Sequence, residues 1–171
     1  KEAARVLLAA AGRPEASAHL GHVSFNEYEA HRSRLSEAQA RRARHFFTEM
    51  QRVFQGIEDW SRGDLAQFGR RMTESGCSSI DNYECGCEPM IRLFELLVRT
   101  PGIYGARFSG AGFRGCCVAL VDPAAAHDAL PAIQSTYAEE QPGYATRSRF
   151  RLCQSADGAC RLGAFMAQMG A

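Results

Sequence analysis

Up to Pro101 the apolar residues recur in steps of three and four. Between Ile103 and Val121 they fall into two strand-like runs, Ile103–Ser109 and Cys116–Val121. The residues joining the runs are rich in glycine, with Gly110, Gly112 and Gly115 inside six positions. Two short strands across such a loop predict an antiparallel pair, whereas the spacing before them predicts amphipathic helices. The order is several helices, a strand–glycine loop–strand unit, a helix and a last strand over Phe150–Cys153. It predicts an α+β domain with helices packed on one face of a mainly antiparallel sheet. The chain has 171 residues, enough for one domain at roughly 100–200 residues per domain.

The helices announce themselves. Glu2–Ala10 is rich in alanine and leucine and is closed by Gly12 and Pro14, with a loop over 12–23. Ser24 with Glu27 and Ser36 with Gln39 have the spacing of capping boxes. After Ser36, a long helical face is set out by Ala40, Ala43, Phe46, Phe47, Met50, Val53, Phe54, Ile57 and Trp60, which are expected inward. Arg41, Arg42, Arg44, Glu49, Arg52, Glu58 and Asp59 mark the opposite side, expected in solvent. Further helices are expected from Asp64 (Leu65, Phe68 and Met72 inward), from Glu88-Pro89 (Ile91, Phe94, Leu97 and Val98), and from an Asp122-Pro123 cap (Ala126, Leu130, Ile133 and Tyr137).

Composition removes several function classes. Lys and Arg exceed Asp and Glu by one (20 − 19). A phosphate-tracking nucleic-acid binder carries a clustered positive excess, so no nucleic-acid partner is expected. No apolar run approaches the ~20 residues that span a bilayer, so no membrane role is expected. The chain opens on Lys1 with no basic-then-apolar leader, as a processed product or a piece of a longer chain would. The seven cysteines include no C-x-x-C pair, and the adjacent Cys116 and Cys117 of a strand point to opposite faces. Reduced thiols in a cytoplasmic protein are the expectation, with no metal ligand set. His19, His22, His31, His45 and His127 are scattered, and His19 and His22 are expected to be solvated, without acidic neighbours.

Two segments could carry chemistry. In Ser109-Gly110-Ala111-Gly112-Phe113-Arg114-Gly115, missing Cβ atoms allow close backbone approach to a ligand, and successive N–H groups can form an anion-binding concavity. Arg107 and Arg114 would flank it with charge suited to phosphate or carboxylate. A bulged hairpin needing glycine only for its geometry is the competing reading. The loop is neither a Rossmann fingerprint nor a Walker loop, because no helix begins directly after it and no Gly-Lys-Ser/Thr follows. The second segment, Glu74–Gly86, is dense in hydroxyls, carboxylates and an amide. It reads as a helix end with a polar connection or as the lining of a pocket for a polyhydroxylated ligand.

Ser109–Cys116 resembles the third conserved motif of the GHMP small-molecule kinases in its galactokinase form. The likeness extends in order along nearly the whole chain. Arg41-Arg42-Ala43-Arg44-His45-Phe46 resembles the run opening a long helix in galactokinases. Gly63-Asp64, Phe68-Gly69 and Met72 with Glu74-Ser75 resemble the next helix. Asn82-Tyr83-Glu84-Cys85, Pro101–Arg107 and the terminal Ser155–Ala159 are similar to further family segments. Within the group, Glu74–Gly86 and Gly105–Cys117 are most similar to plant-type galacturonokinases, and Ala111 and Arg114 stand where common galactokinases have glycine.

This resemblance implies the C-terminal half of an ATP-dependent sugar-1-kinase with a ferredoxin-like fold over 1–171, residues 1–35 serving as a connecting segment. The substrate would be a galactose-type sugar or uronic acid, phosphorylated at its anomeric hydroxyl. Ser109, Gly110, Ala111, Gly112, Phe113, Arg114 and Gly115 would bind sugar and phosphate. The family's phosphate loop, catalytic aspartate and arginine belong to an N-terminal half, the partner of this one. ATP and Mg²⁺ would be held mainly there, and no catalytic or metal-ligating residue is expected in this chain. Gly76-Cys77-Ser78-Ser79 mimics the phosphate loop only superficially. An exposed apolar face is expected where the halves meet. A non-catalytic sugar-binding or regulatory module derived from a galactokinase is the alternative, and a ligand-free interaction domain a third reading.

Overall fold

The computed structural model describes residues 1–154. Six helices and two strands follow in the order α1 (Glu2–Ala10), α2 (Phe25–His31), α3 (Glu37–Ser61), α4 (Leu65–Asp81), α5 (Glu88–Arg99), β1 (Ile103–Ser109), β2 (Cys116–Val121) and α6 (Ala126–Glu140). The strands pair antiparallel, with Ser109 opposite Cys116 and Ile103 opposite Val121, and a register irregularity between Ile103 and Gly105. The α+β class stands, with a two-stranded antiparallel sheet among the described residues. No described helix is long and apolar enough to cross a membrane.

The caps explain where helices begin. Ser24 accepts from the Glu27 amide and Ser36 from the Gln39 amide, and both boxes are closed by the returning Glu27 and Gln39 side chains. Asp64 caps α4 through the Gln67 amide. The expected Asp122-Pro123 cap is replaced by a turn: Asp122 accepts from Ala124, and α6 begins only at Ala126. Phe150–Cys153 joins no ladder. A local turn onto Tyr144 precedes it, and the Phe150 ring goes into the core beside Tyr137, at 5.9 Å, rather than along a strand edge. The Ser155–Ala159 motif and Cys160 lie outside the described residues.

Two apolar cores result. One joins Ala3, Ala4, Leu7, Leu8, Val23 and Tyr28 to Ala43 and Phe47 of α3, with Tyr28 stacked on Phe47 at 4.3 Å. Residues 1–35 thus carry α1 and α2, and α1 packs onto α3. The second core holds Met90, Phe94 and Leu97 of α5, Ala106 and Phe108 of β1, and Ala129, Ile133 and Tyr137 of α6.

The second half of α3 inverts the expected faces. Met50, Val53, Phe54, Ile57 and Trp60 are 43–62% exposed, whereas Asp59 is 2% exposed. Helix α4 docks on the polar side instead. Ser75 donates to Glu49 at 2.8 Å, and Asp59 accepts from Arg62 at 2.7 Å and Arg71 at 3.4 Å. The buried residues of α4 are small, Ser75 and Ser78 toward α3 and Gly69 and Gly76 toward β1 and α5, rather than Leu65, Phe68 and Met72. Burying a paired charge is tolerable only when its partners come with it, as Arg62 and Arg71 do here.

At the other end, Arg13 donates to Glu27 at 2.6 Å and to the His22 carbonyl at 2.7 Å, tying the loop to the α2 cap. The Arg13 hydrogen bond, then those from Ser24, hold Glu27 down at about 2. A depressed folded value stabilises fully above the ordinary 4.5, and this contribution is lost as pH falls through about 2. Glu27→Gln is therefore expected to lower stability at neutral pH and to flatten its pH dependence between those limits. Denaturant midpoints across that range would check this. His22, expected to lack an acidic neighbour, has its Nδ1 2.7 Å from Glu15, though His19 and His22 are both exposed as expected.

Candidate functional site

The loop joining β1 to β2 is seated on the start of α5. Cys87, the residue before that helix, donates its backbone N–H to the Gly112 carbonyl at 3.0 Å and its thiol to the Phe113 carbonyl at 3.1 Å. In a trans peptide the carbonyl and the following N–H point in opposite directions. Fixing the Gly112 and Phe113 carbonyls toward Cys87 therefore turns the Phe113 and Arg114 amides the other way. Neither amide donates a hydrogen bond among the described residues. Two adjacent, outward, unspent N–H groups are the elements of an anion concavity.

Gly112 makes this seating possible. It is buried, its φ is +74°, and a Cβ there would stand 2.6 Å from the Phe108 ring. Phe113, Arg114 and Gly115 form one wall of a groove of about 840 Å³. The groove is floored by α5, β2 and α6. Arg147 and Arg149 stand on its rim. Ser109, Gly110 and Ala111 are exposed at the tip beside it. All seven residues expected to bind sugar and phosphate are thus brought together in one loop.

The two flanking arginines separate. Arg114 is exposed and makes no hydrogen bond or ion pair among the described residues. Arg107 turns back toward α3, its Nε donating to the Phe108 carbonyl at 3.3 Å and its Nη1 lying 3.9 Å from Glu49. The expectation that both guanidinium groups flank the loop is corrected. Glu49 draws Arg107 away, and only Arg114 stays with the glycines.

The segment 74–86 divides as its chemistry dictates. Its first part is the end of α4, where the Ser75 and Ser78 hydroxyls are spent on α3 and Ser79 donates to the Ser75 carbonyl. Ser75 binds Glu49, and Ser78 lies 3.0 Å from His45 Nδ1 while accepting from Asn82 at 3.1 Å. Burial lowers His45, favouring the neutral imidazole. Burial alone would raise Glu49, but Ser75 and Arg52 outweigh it and hold the carboxyl below its usual range. A shallow depression of about 380 Å³ remains on this seam. The second part is strapped to α3. Arg41 donates to Glu84 at 2.8 Å, Arg42 also pairs with Glu84, and the Arg42 guanidinium lies 5.6 Å from the Tyr83 ring centroid.

The described cysteines are all free thiols. Burial, aided by Cys116, pushes Cys117 up to about 12, so it stays a thiol at neutral pH. The role of Cys87 escaped the sequence reading. Its position before Glu88-Pro89 signals a helix start, but nothing local signals contact with a loop 25 residues on.

The known proteins that this chain is similar to point to one family. The family model for the GHMP kinases C terminal matches residues 55–139. The galacturonokinase of Arabidopsis thaliana is 45% identical over 163 residues, covering 93% of this chain and 38% of that protein. The galactokinase of Homo sapiens is 42% identical over 140 residues, covering 82% and 34%. The chain thus spans little more than a third of these curated relatives. The crystal structure of Lactococcus lactis galactokinase complexed with galactose superposes with a TM-score of 0.70 at 30% identity, over 84% of this chain and 37% of that one.

Proposed function

We propose, for a chain that belongs to the GHMP kinase family and its galactokinase group, that the whole protein transfers the γ-phosphate of ATP to the anomeric hydroxyl of a galactose-type sugar or its uronic acid. Residues 1–171 are the C-terminal part of that kinase. The observation that carries this reading is the loop itself: two adjacent N–H groups turned outward and, on the wall of a groove, an Arg114 unpaired among the described residues. Phosphoryl transfer depends chiefly on positioning and on donors aimed at negative oxygen. A glycine loop seated on Cys87, with free amides, supplies both without a reactive side chain.

The loop offers N–H groups and a guanidinium but no carboxylate, so its donor set suits phosphate or carboxylate oxygens and does not suit Mg²⁺. We therefore assign Mg²⁺ and most contacts with ATP to the N-terminal part. That part also suits the apolar stripe Met50–Trp60, which nothing among the described residues covers. The cytoplasm is the compartment we assign, because unpaired cysteines persist where thiols are kept reduced.

ADP release by the full-length protein, followed with galacturonate, galactose and arabinose, tests the proposal. Sugar-dependent release by the full-length protein, with none from residues 1–171 alone, is the expected result. Sugar binding without any ADP release would instead favour a non-catalytic sugar-binding module.

A further inference from the structure

We propose that Cys87 is a positioning residue for the glycine loop: its thiol and backbone N–H together set the direction in which the loop's free amides point. The inference rests on the reading of this loop as a phosphate- and sugar-binding element. It adds a residue outside the loop on which the geometry depends.

The Cys87 side chain packs against the core of α5, β1 and α6, and its one polar group is left free by the helix it precedes. Cys87 stands at the N-cap of α5, yet its side chain makes no capping hydrogen bond. The first turn of α5 is closed through the Cys87 carbonyl, which accepts from Met90 and Ile91 at 3.0 Å each. The thiol is thus left for the Phe113 carbonyl, 3.1 Å away. Two consecutive loop carbonyls are bound by one residue, one through its backbone and one through its side chain. That arrangement fixes two successive peptide planes. With only the backbone bond, the Phe113–Arg114 plane could rotate and carry the Arg114 amide out of line with the Phe113 amide.

The seat is also braced from behind. Gly86 precedes Cys87 with φ +106°, and a Cβ there would meet Ile91 at 2.9 Å. Glu84, with φ +56°, is held by Arg41 and Arg42 from α3. The loop's orientation is thereby referred to α3 and α5 and not to the hairpin alone. Donors fixed in advance are effective because they need no reorganisation when charge develops on the transferred group.

Full-length Cys87→Ala and Cys87→Ser proteins test this, with hydrogen–deuterium exchange of the residue-87 amide, which donates to the loop at the Gly112 carbonyl, read beside sugar-kinase kinetics. Serine keeps a side-chain donor, whereas alanine keeps only the backbone bond. In Cys87→Ala, exchange at residue 87 is expected to quicken about three- to tenfold relative to its intrinsic rate. Turnover should fall by a similar factor with little change in KM, as for donors engaged mainly in the transition state. Cys87→Ser should restore most of both. Exchange at residue 87 in Cys87→Ala as slow as in the wild type would overturn the proposal. So would an acceleration spread equally over α5 and β2, which would mark general loosening. A wild-type protein without ATP-dependent phosphorylation would remove the kinase reading, while the exchange comparison would still decide the role of Cys87.

Discussion

Gly105→Ala is expected to cost the protein about 4 kcal/mol of stability or more, the range reached only when a substitution breaks the packing of whole elements. Helix α4 and strand β1 meet backbone to backbone at this position. A Cβ on Gly105 would stand 1.7 Å from the Gly69 carbonyl oxygen and 2.3 Å from its carbon, and a Cβ on Gly69 would stand 2.3 Å from the Tyr104 carbonyl. Both partners are main chain, so no side chain can swing aside, and α4 must lift from the sheet. Such a loss is a large part of the ~5–15 kcal/mol that holds a domain together. Gly110→Ala supplies the contrast. That glycine has φ +94° but nothing within 4 Å, so alanine there meets only backbone strain of about 1–2 kcal/mol. Chemical unfolding of the two variants checks this pair, and equal losses would mean that α4 can move off β1 without penalty.

The contact between Gly69 and Gly105 shows where sequence reasoning runs short. Helix spacing, caps and turn residues are local, and they placed α1, α5, β1 and β2 at the residues where they are found. Which side of α3 is covered is not local. Apolar spacing predicts Met50–Trp60 inward, because burial normally follows hydrophobicity. The outcome is decided by α4, whose glycines close on β1 and α5 while its Ser75 and Arg71 face α3 and pair with Glu49 and Asp59. No period reports that complementarity. The glycine loop was legible because its residue types are uncommon between two strands. The departure of Arg107 was not, since it depends on Glu49, 58 residues earlier in the chain. The missing strand at Phe150 has a similar cause: alternation of arginine with Phe150 and Leu152 looks like an edge strand, but the half-buried Phe150 ring packs against Tyr137 of α6.

Replacement of Arg114 by glycine in the full-length protein is expected to lower kcat/KM for a uronate about ten- to hundredfold, the worth of a charge-assisted hydrogen bond. Neutral galactose should change by less than about threefold. The argument rests on what Arg114 lacks. It is exposed and unpaired among the described residues, so removing it breaks no structural contact. It adjoins the outward amides and lines the groove, where a second anion besides phosphate would come within reach. A uronic acid carries such an anion at the carbon where galactose carries a hydroxyl, and a planar guanidinium can bind a carboxylate through two parallel hydrogen bonds. Because glycine also loosens the backbone, Arg114→Gln separates the two effects. If charge sets the preference, the glutamine variant loses uronate activity as the glycine variant does, while Arg114→Lys retains part of it as a point charge. Equal losses on the acidic and neutral sugars in every variant would show instead that Arg114 serves the transferred phosphate, which both substrates share.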